Sequence, residues 1–385
     1  LSPFDPFELT PSGQLSPQWI AWLGRVLSET SPAPAAGAPP SVDWEPVLAA
    51  CDAHAITPLL YLRLRDTRQL PVLPQPVRDA LFAAFQDNTL RTLRFEQELG
   101  RISDAFRTED IRLMLLKGLA TGRLVYGSPA ERPIGDLDLL VPFADMERAR
   151  RALRNLAYEG IGWPGLDRLS RWQHAFRSEM PMLCTIPERY GLVTELHWSL
   201  LEIPYYIERI DMNSVWDAAV PLSFHDDVLL PDPATLLVHG AAHVALHHSR
   251  ELRLIWLLDL DRLARWRALQ WDAVLERAST WGLGKALLLP LMAAKAWLAT
   301  PIPEAVHTEL ERLALDPVGE ATWGLGDERP DRARRRASAS WLLFNGRQRL
   351  RYAAWLGFRT VLRPLELSSR PGPAPSTDRS KRAGV

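Results

Sequence analysis

Two cysteines in 385 residues, Cys51 and Cys184, rule out a disulfide-stapled framework and a cysteine-built zinc centre. Both are expected to be buried and reduced, as in a cytoplasmic protein. The charge has no dominant sign: 45 Lys and Arg against 46 Asp and Glu leave a net −1, so no chain-wide basic field advertises a nucleic-acid partner. Long apolar runs are missing too. The stretch from Ala286 to Met292 is interrupted by Pro290, soon meets Lys295 and is too short to span a bilayer. Leu1-Ser2-Pro3 does not read as a signal peptide, so the expectation is a chain with no membrane partner. The Gly-x-x-x-x-Gly-Lys-Ser/Thr loop, the kinase signatures, the Gly-x-Ser-x-Gly elbow and the His-Glu-x-x-His zinc motif are all absent. Gly282-Leu283-Gly284-Lys285 imitates a phosphate loop only superficially, because no strand precedes it.

What remains is an ordinary globular composition, 47% hydrophobic and 24% charged, with length enough for two or three domains. Residues 1–43 form a proline-rich segment with one short helix around Trp19 to Leu27 and a linker across Ser31 to Pro40. Residues 44–110 read as helical, with Val77 to Arg107 giving one or two amphipathic helices. Residues 111–225 alternate strand and helix patterns and form the expected α/β core, including a charge-rich helix over Met146 to Leu156. Residues 226–366 are helical again, with Ala234 to Trp266 read as one helix and Gly282 and Gly284 marking a break further on. A helical pair is expected over Pro303 to Leu365, and residues 367–385 form a proline- and charge-rich tail expected to be disordered.

The chemistry concentrates in the core. Pro133-Ile134-Gly135-Asp136-Leu137-Asp138-Leu139-Leu140-Val141 reads as a buried strand entered from a turn. Side chains alternate along a strand, so Asp136 and Asp138 are expected to share a face while Leu137 and Leu139 enter the core. Two adjacent carboxylates repel unless a cation lies between them, and a hard divalent ion such as Mg²⁺ or Mn²⁺ resolves the repulsion. Asp259-Leu260-Asp261 has the same spacing but lies in a leucine-rich helix, where residues two apart face different ways.

Three neighbours sharpen this reading. Ile111 to Gly118 reads as a strand ending in Lys117-Gly118 at a helix start, where free N–H groups and the dipole attract an anion. Leu192 to Trp198 alternates, placing Val193, Glu195 and His197 on one face; Glu195 would supply a third carboxylate, as metal ligand or proton acceptor. Arg132 precedes the Asp-x-Asp strand within reach of a phosphate. His239, His243 and His247 repeat at helical spacing and are expected to form a polar face against the core rather than a zinc site. Asp259 is expected either to orient Arg253 or to reach the cleft. The arginine-rich segment 332–363, interleaved with Trp341, Phe344, Trp355 and Phe358, reads as a surface helix, with RNA binding as the alternative.

Leu115-Leu116-Lys117-Gly118, Tyr126, Pro129, Arg132, Gly135 to Val141 and Glu195-Leu196-His197-Trp198, followed by His239, His243 and Leu252 to Leu260, together resemble the nucleotidyltransferase superfamily of polymerase-β-like fold. Within it the chain looks most like a bacterial family known only as uncharacterised nucleotidyltransferases, from about Trp44 to about Leu365. A more distant resemblance is to the abortive-infection and mycobacterial toxins that add nucleotides to tRNA. The broader superfamily carries Gly-Ser or Gly-Gly where this chain has Lys117-Gly118, which leaves Lys117 as the replacement for a phosphate-binding hydroxyl. The resemblance implies an α+β fold, a mixed sheet flanked by N-terminal and C-terminal helical regions. It also implies Mg²⁺- or Mn²⁺-dependent transfer of a nucleoside monophosphate from an NTP to a hydroxyl on a tRNA end, a protein or peptide, or a small metabolite. Asp136, Asp138 and Glu195 would be the catalytic and metal-binding residues, and Lys117, Gly118, Arg132 and Asp259 would hold the nucleotide. The non-enzymatic alternative is a nucleotide sensor or partner-binding module.

Overall fold

The computed structural model describes residues 17–28, 43–160, 178–186, 191–223, 225–248 and 252–315, together with residues 350 and 353. The arginine-rich segment lies almost wholly outside the described residues. The proline-rich linker and the tail lie outside them entirely.

Helix α1 (Pro17–Leu27) precedes α2 (Glu45–Ala53) and α3 (Thr57–Asp66). The last two begin with a proline in the first turn, where the missing N–H and fixed φ suit a helix start. Helix α4 (Gln75–Thr108) is a single rod of about 51 Å at 1.5 Å per residue. Its buried stripe Val77, Leu81, Phe95, Leu99, Ile102 and Phe106 recurs at helical spacing. The chain then enters β1 (Leu113–Leu115), α5 (Lys117–Val125), β2 (Leu137–Leu140), α6 (Met146–Asn155) and β3 (Tyr158–Gly160). Next come β4 (Glu179–Cys184), β5 (Val193–His197), short helices α7 (Pro204–Arg209) and α8 (Met212–Asp217), β6 (Val220–Leu222) and β7 (His225–Leu230). The described chain closes with α9 (Pro233–His247), α10 (Leu254–Arg265), α11 (Trp271–Trp281), α12 (Gly284–Leu298) and α13 (Glu304–Ala314).

The seven strands form one mixed sheet in the order β3-β4-β5-β2-β1-β7-β6, an α+β fold. Hydrophobic strands β1 and β2 lie at its centre with every residue buried. Strand β2 runs antiparallel to β1 and parallel to β5, in a register that sets Asp138 beside Glu195 and Leu140 beside His197. The long crossover from β2 to β5 is what a parallel neighbour requires. Helices α9 and α10 pack on α5, and α12 packs on α9, α10 and α13. The first helix joins this C-terminal layer: α1 packs on α12 with Trp22, Leu23 and Leu27 buried, so closely that a Cβ on Gly24 would meet the Trp297 carbonyl oxygen at 2.8 Å.

Several sequence expectations change. The strand expected over Ile111 to Gly118 is only Leu113–Leu115, because Lys117 adopts φ 46° and opens α5. Asp136 lies just before β2 rather than on it. The single helix expected over Ala234 to Trp266 is two, ending at His247 and restarting at Leu254. The glycine break is as read: Gly282 takes the left-handed C-cap of α11 at φ 72°. Both cysteines are free and buried. Among the described residues no single helix is long and apolar enough to cross a membrane.

Candidate active site

The parallel pairing of β2 and β5 is what assembles the site. It sets Asp138, 4% exposed, level with Glu195, and one pleat further along brings His197, 1% exposed, onto the same face. His197 Nε2 lies 3.0 Å from Asp138 Oδ1 and 3.6 Å from Glu195 Oε2. Its Nδ1 faces Glu179 Oε2 at 3.4 Å, because β4 pairs with β5 and places Glu179 opposite His197. Lys117 enters from the other side, at the junction of β1 and α5, where the Leu116 N–H donates to the Asp138 carbonyl at 2.8 Å. Its Nζ lies 2.7 Å from Asp138 Oδ1 and 3.5 Å from Glu195 Oε2. The left-handed φ of Lys117 is unusual for a residue with a Cβ, and such strain persists where the surroundings over-determine it.

These groups set one another's ionisation. Burial favours the neutral form of Asp138, but the Lys117 ammonium and the His197 hydrogen bond outweigh it and hold the carboxyl below its ordinary range. Burial, then the charges of Asp138 and Glu195, push Asp136 up to about 7. Burial and the charge of Glu195 do the same for Glu179, also to about 7. Burial and Lys117 oppose a charged His197, yet its bonds to Asp138 and Glu195 and the field of Glu179 raise it to about 9. Burial works against the Lys117 charge as well, and the fields of Asp138, Glu195 and Glu179 raise its pKa well above normal.

The sign of the resulting pH dependence follows. A histidine raised from 6.5 to about 9 stabilises the fold fully below pH 6.5 and loses that contribution as pH climbs through 9. Melting temperature is therefore expected to fall between pH 6.5 and 9, and His197→Gln is expected to flatten that slope. A slope unchanged in His197→Gln would contradict the pairing.

Ligand atoms of Asp138, Glu195 and His197 all lie within 4.8 Å of one another, a group able to hold a metal ion. The Lys117 ammonium between two of these carboxylates shows that their oxygens already converge on a cation. An oxygen-dominated donor set suits a hard divalent ion. Asp136, at the entry to β2, adds a further carboxylate within electrostatic reach.

Behind the Lys117-Gly118 turn lies a second network. Gly118 is required sterically, since a Cβ there would lie 2.6 Å from Arg132 Nη1. That guanidinium cannot swing aside freely: Nη2 donates to Asp259 at 2.8 Å, Nε at 3.1 Å, and Nη1 to the Pro133 carbonyl at 3.0 Å. Tyr126 donates to the same Asp259 at 2.7 Å. Arg262 covers the Tyr126 ring at 3.9 Å and reaches Glu131 at 3.3 Å. The expected link of Asp259 to Arg253 is thus replaced by one to Arg132, while Arg253 lies over Trp256 at 5.6 Å. The two aspartates of Asp259-Leu260-Asp261 do face different ways, for Asp261 bonds Arg265 and Thr300 instead.

The histidines of α9 border the site. His239, 2% exposed, is hydrogen-bonded to the backbone of Leu200, three residues beyond His197, and among the described residues its Nε2 makes no hydrogen bond. Burial and the positive charge of Lys117 hold His239 down at about 3 and lower His243 and His248 as well, which favours the neutral form of each. Among the described residues they belong to no group of three metal-ligating side chains.

Sequence reasoning missed Glu179 as a member of the site. Pro181 interrupts the run from Glu179 to Cys184 and hides its strand character, and only the β4–β5 register brings Glu179 to His197. The role of Tyr126 as a second donor to Asp259 was equally invisible, since it depends on a contact across 133 residues.

A family model described as an uncharacterised nucleotidyltransferase matches residues 40–299, which include every residue of both networks. No curated protein matches the chain.

Proposed function

As a member of this family of uncharacterised nucleotidyltransferases, a transferase that uses an NTP, the chain has a site whose chemistry can be read further, and we propose Mg²⁺- or Mn²⁺-dependent transfer of a nucleoside monophosphate to a hydroxyl acceptor. The observation that supports this reading is the convergence of Asp138, Glu195 and His197 on adjacent parallel strands beside the ammonium of Lys117. Asp136, Asp138 and Glu195 would hold the divalent ion, which when bound neutralises triphosphate charge and lowers the pKa of the attacking hydroxyl.

The chain's own residues supply the rest. His197 fixes the Asp138 carboxylate through Nε2, so its lone pairs keep one direction. Glu195 accepts the proton that the acceptor hydroxyl loses as its oxygen bonds the α-phosphorus. The bond from that phosphorus to the bridging oxygen breaks, and pyrophosphate leaves towards the start of α5. There Lys117, the Gly118 N–H and the buried charge of Arg132 stabilise the leaving group. Asp259 acts through Arg132, holding the guanidinium against Gly118. The sheet would form one wall of the cleft and helices α9 and α10, which pack on α5, the other.

Incubating the protein with α-labelled NTPs and total RNA, lysate protein or small-molecule extract tests the reaction. Label is expected in one fraction, only with Mg²⁺ or Mn²⁺ present. Label in no fraction, or undiminished by a chelator, would overturn the proposal.

A further inference from the structure

The triphosphate and metal residues account for one end of a nucleotide. One turn away lies a cluster with no assigned role: His243 and His248 at the end of α9, and Trp256 in the first turn of α10. His243 and His248 are half-buried, with their Nε2 atoms 3.1 Å apart. The His248 ring lies on Trp256 at 4.5 Å and 34°, and His243 meets both rings edge-on. Arg253 covers Trp256.

The fold fixes where this cluster stands. Asp259 is bonded to Arg132, whose guanidinium abuts Gly118 at the start of α5. Trp256 lies three residues before Asp259, on the same side of α10 and about 4.5 Å along its axis. His243 lies one turn beyond His239, which is tied to Leu200 near the end of β5. Both helices therefore carry the aromatic cluster alongside the start of α5.

We propose that His243, His248 and Trp256 form the nucleobase subsite of this enzyme. The inference rests on the nucleotidyl-transfer reading and adds to it the place and chemistry of base recognition. The packed rings make an aromatic surface that can take a base without competing for its phosphates. The Nε2–Nε2 hydrogen bond requires one imidazole to donate and the other to accept. The two Nδ1 atoms must then be one acceptor and one donor. Purine nucleotides are expected to bind more tightly than pyrimidine nucleotides because they stack over more area.

The test is calorimetric binding of ATP, CTP and inorganic tripolyphosphate, each with Mg²⁺, to the full chain and to His248→Ala, Trp256→Ala and Trp256→Phe. The wild type is expected to bind ATP about tenfold to a hundredfold more tightly than tripolyphosphate, with CTP between them. His248→Ala and Trp256→Ala should bring ATP down towards the tripolyphosphate level while leaving tripolyphosphate itself unchanged, and Trp256→Phe should retain most of the preference. Circular dichroism verifies folding, and half-buried His248 provides the variant least able to disturb it. A wild type that binds ATP no better than tripolyphosphate overturns the subsite alone, as does an ATP preference that survives both alanine variants. A wild type that binds neither ligand overturns the nucleotide reading beneath it.

Discussion

Asp138→Asn is expected to lower metal-dependent NTP turnover at least about a thousandfold, because it removes the carboxylate that lies nearest to Lys117 and to His197 Nε2, at 2.7 and 3.0 Å. The amide keeps the shape and hydrogen-bonding size of the side chain but not its charge. Stabilising charge in phosphoryl transfer is worth several kcal/mol, and each 1.36 kcal/mol is tenfold in rate. The same substitution leaves the half-buried Lys117 and the buried His197 sharing Glu195. The His197 pKa should then fall back from about 9, a change that proton resonances of the imidazole would report. Stability should also drop, at the low end of the roughly 3–5 kcal/mol typical for removing one partner of a buried pair, since Glu195 remains. Turnover equal to wild type with several labelled NTPs would remove Asp138 from the mechanism. Lost turnover with an unmoved His197 titration would contradict the hydrogen bond.

The largest loss of stability is expected from Asp259→Ala. Arg132 and Asp259 are 10% and 11% exposed, and the alanine would strand both the guanidinium and the Tyr126 hydroxyl. Removing one member of a buried ion pair costs roughly 3–5 kcal/mol, and the unsatisfied hydroxyl adds about 1–3 kcal/mol. Urea titration measures the sum. Adding Arg132→Met should restore much of the first component, because an unpaired buried charge is the main penalty. Asp259→Ala should also weaken NTP binding by freeing Arg132 from Gly118, whereas a purely structural pair would leave binding by the folded fraction unchanged. A loss below about 1 kcal/mol would mean that Arg132 finds another partner.

How much of this was legible in the sequence depends on the range over which each residue acts. Asp138 and Glu195 announce themselves because their strands alternate, and alternation is a property of neighbours. Gly282 announces a helix end for the same local reason. Asp136 looked like strand, but its turn from Gly135 leaves it outside β2, and no period of two could reveal that. Lys117 looked like the end of a strand, whereas a left-handed φ makes it the start of a helix. For Asp259 the sequence offers Arg253, on the same segment, or the cleft. The true partner lies 127 residues earlier, chosen by packing of α10 on α5. Glu179 depended on sheet register, which one strand's composition does not encode.

The contact between α1 and α12 gives the molecule a late moment of completion during synthesis. Ser28 donates to the Leu298 carbonyl across 270 residues, and Gly24 lies against Trp297. Strand β1 likewise waits for β7, and Arg132 for Asp259. A nascent chain that has emerged as far as Glu195 already carries the acidic residues, yet it lacks the counter-ion behind Gly118 and the helices that cover it. Loop closure over such spans makes ordering slow relative to local helix formation. The carboxylates proposed to be catalytic are thus made early, and the contacts that surround them close last.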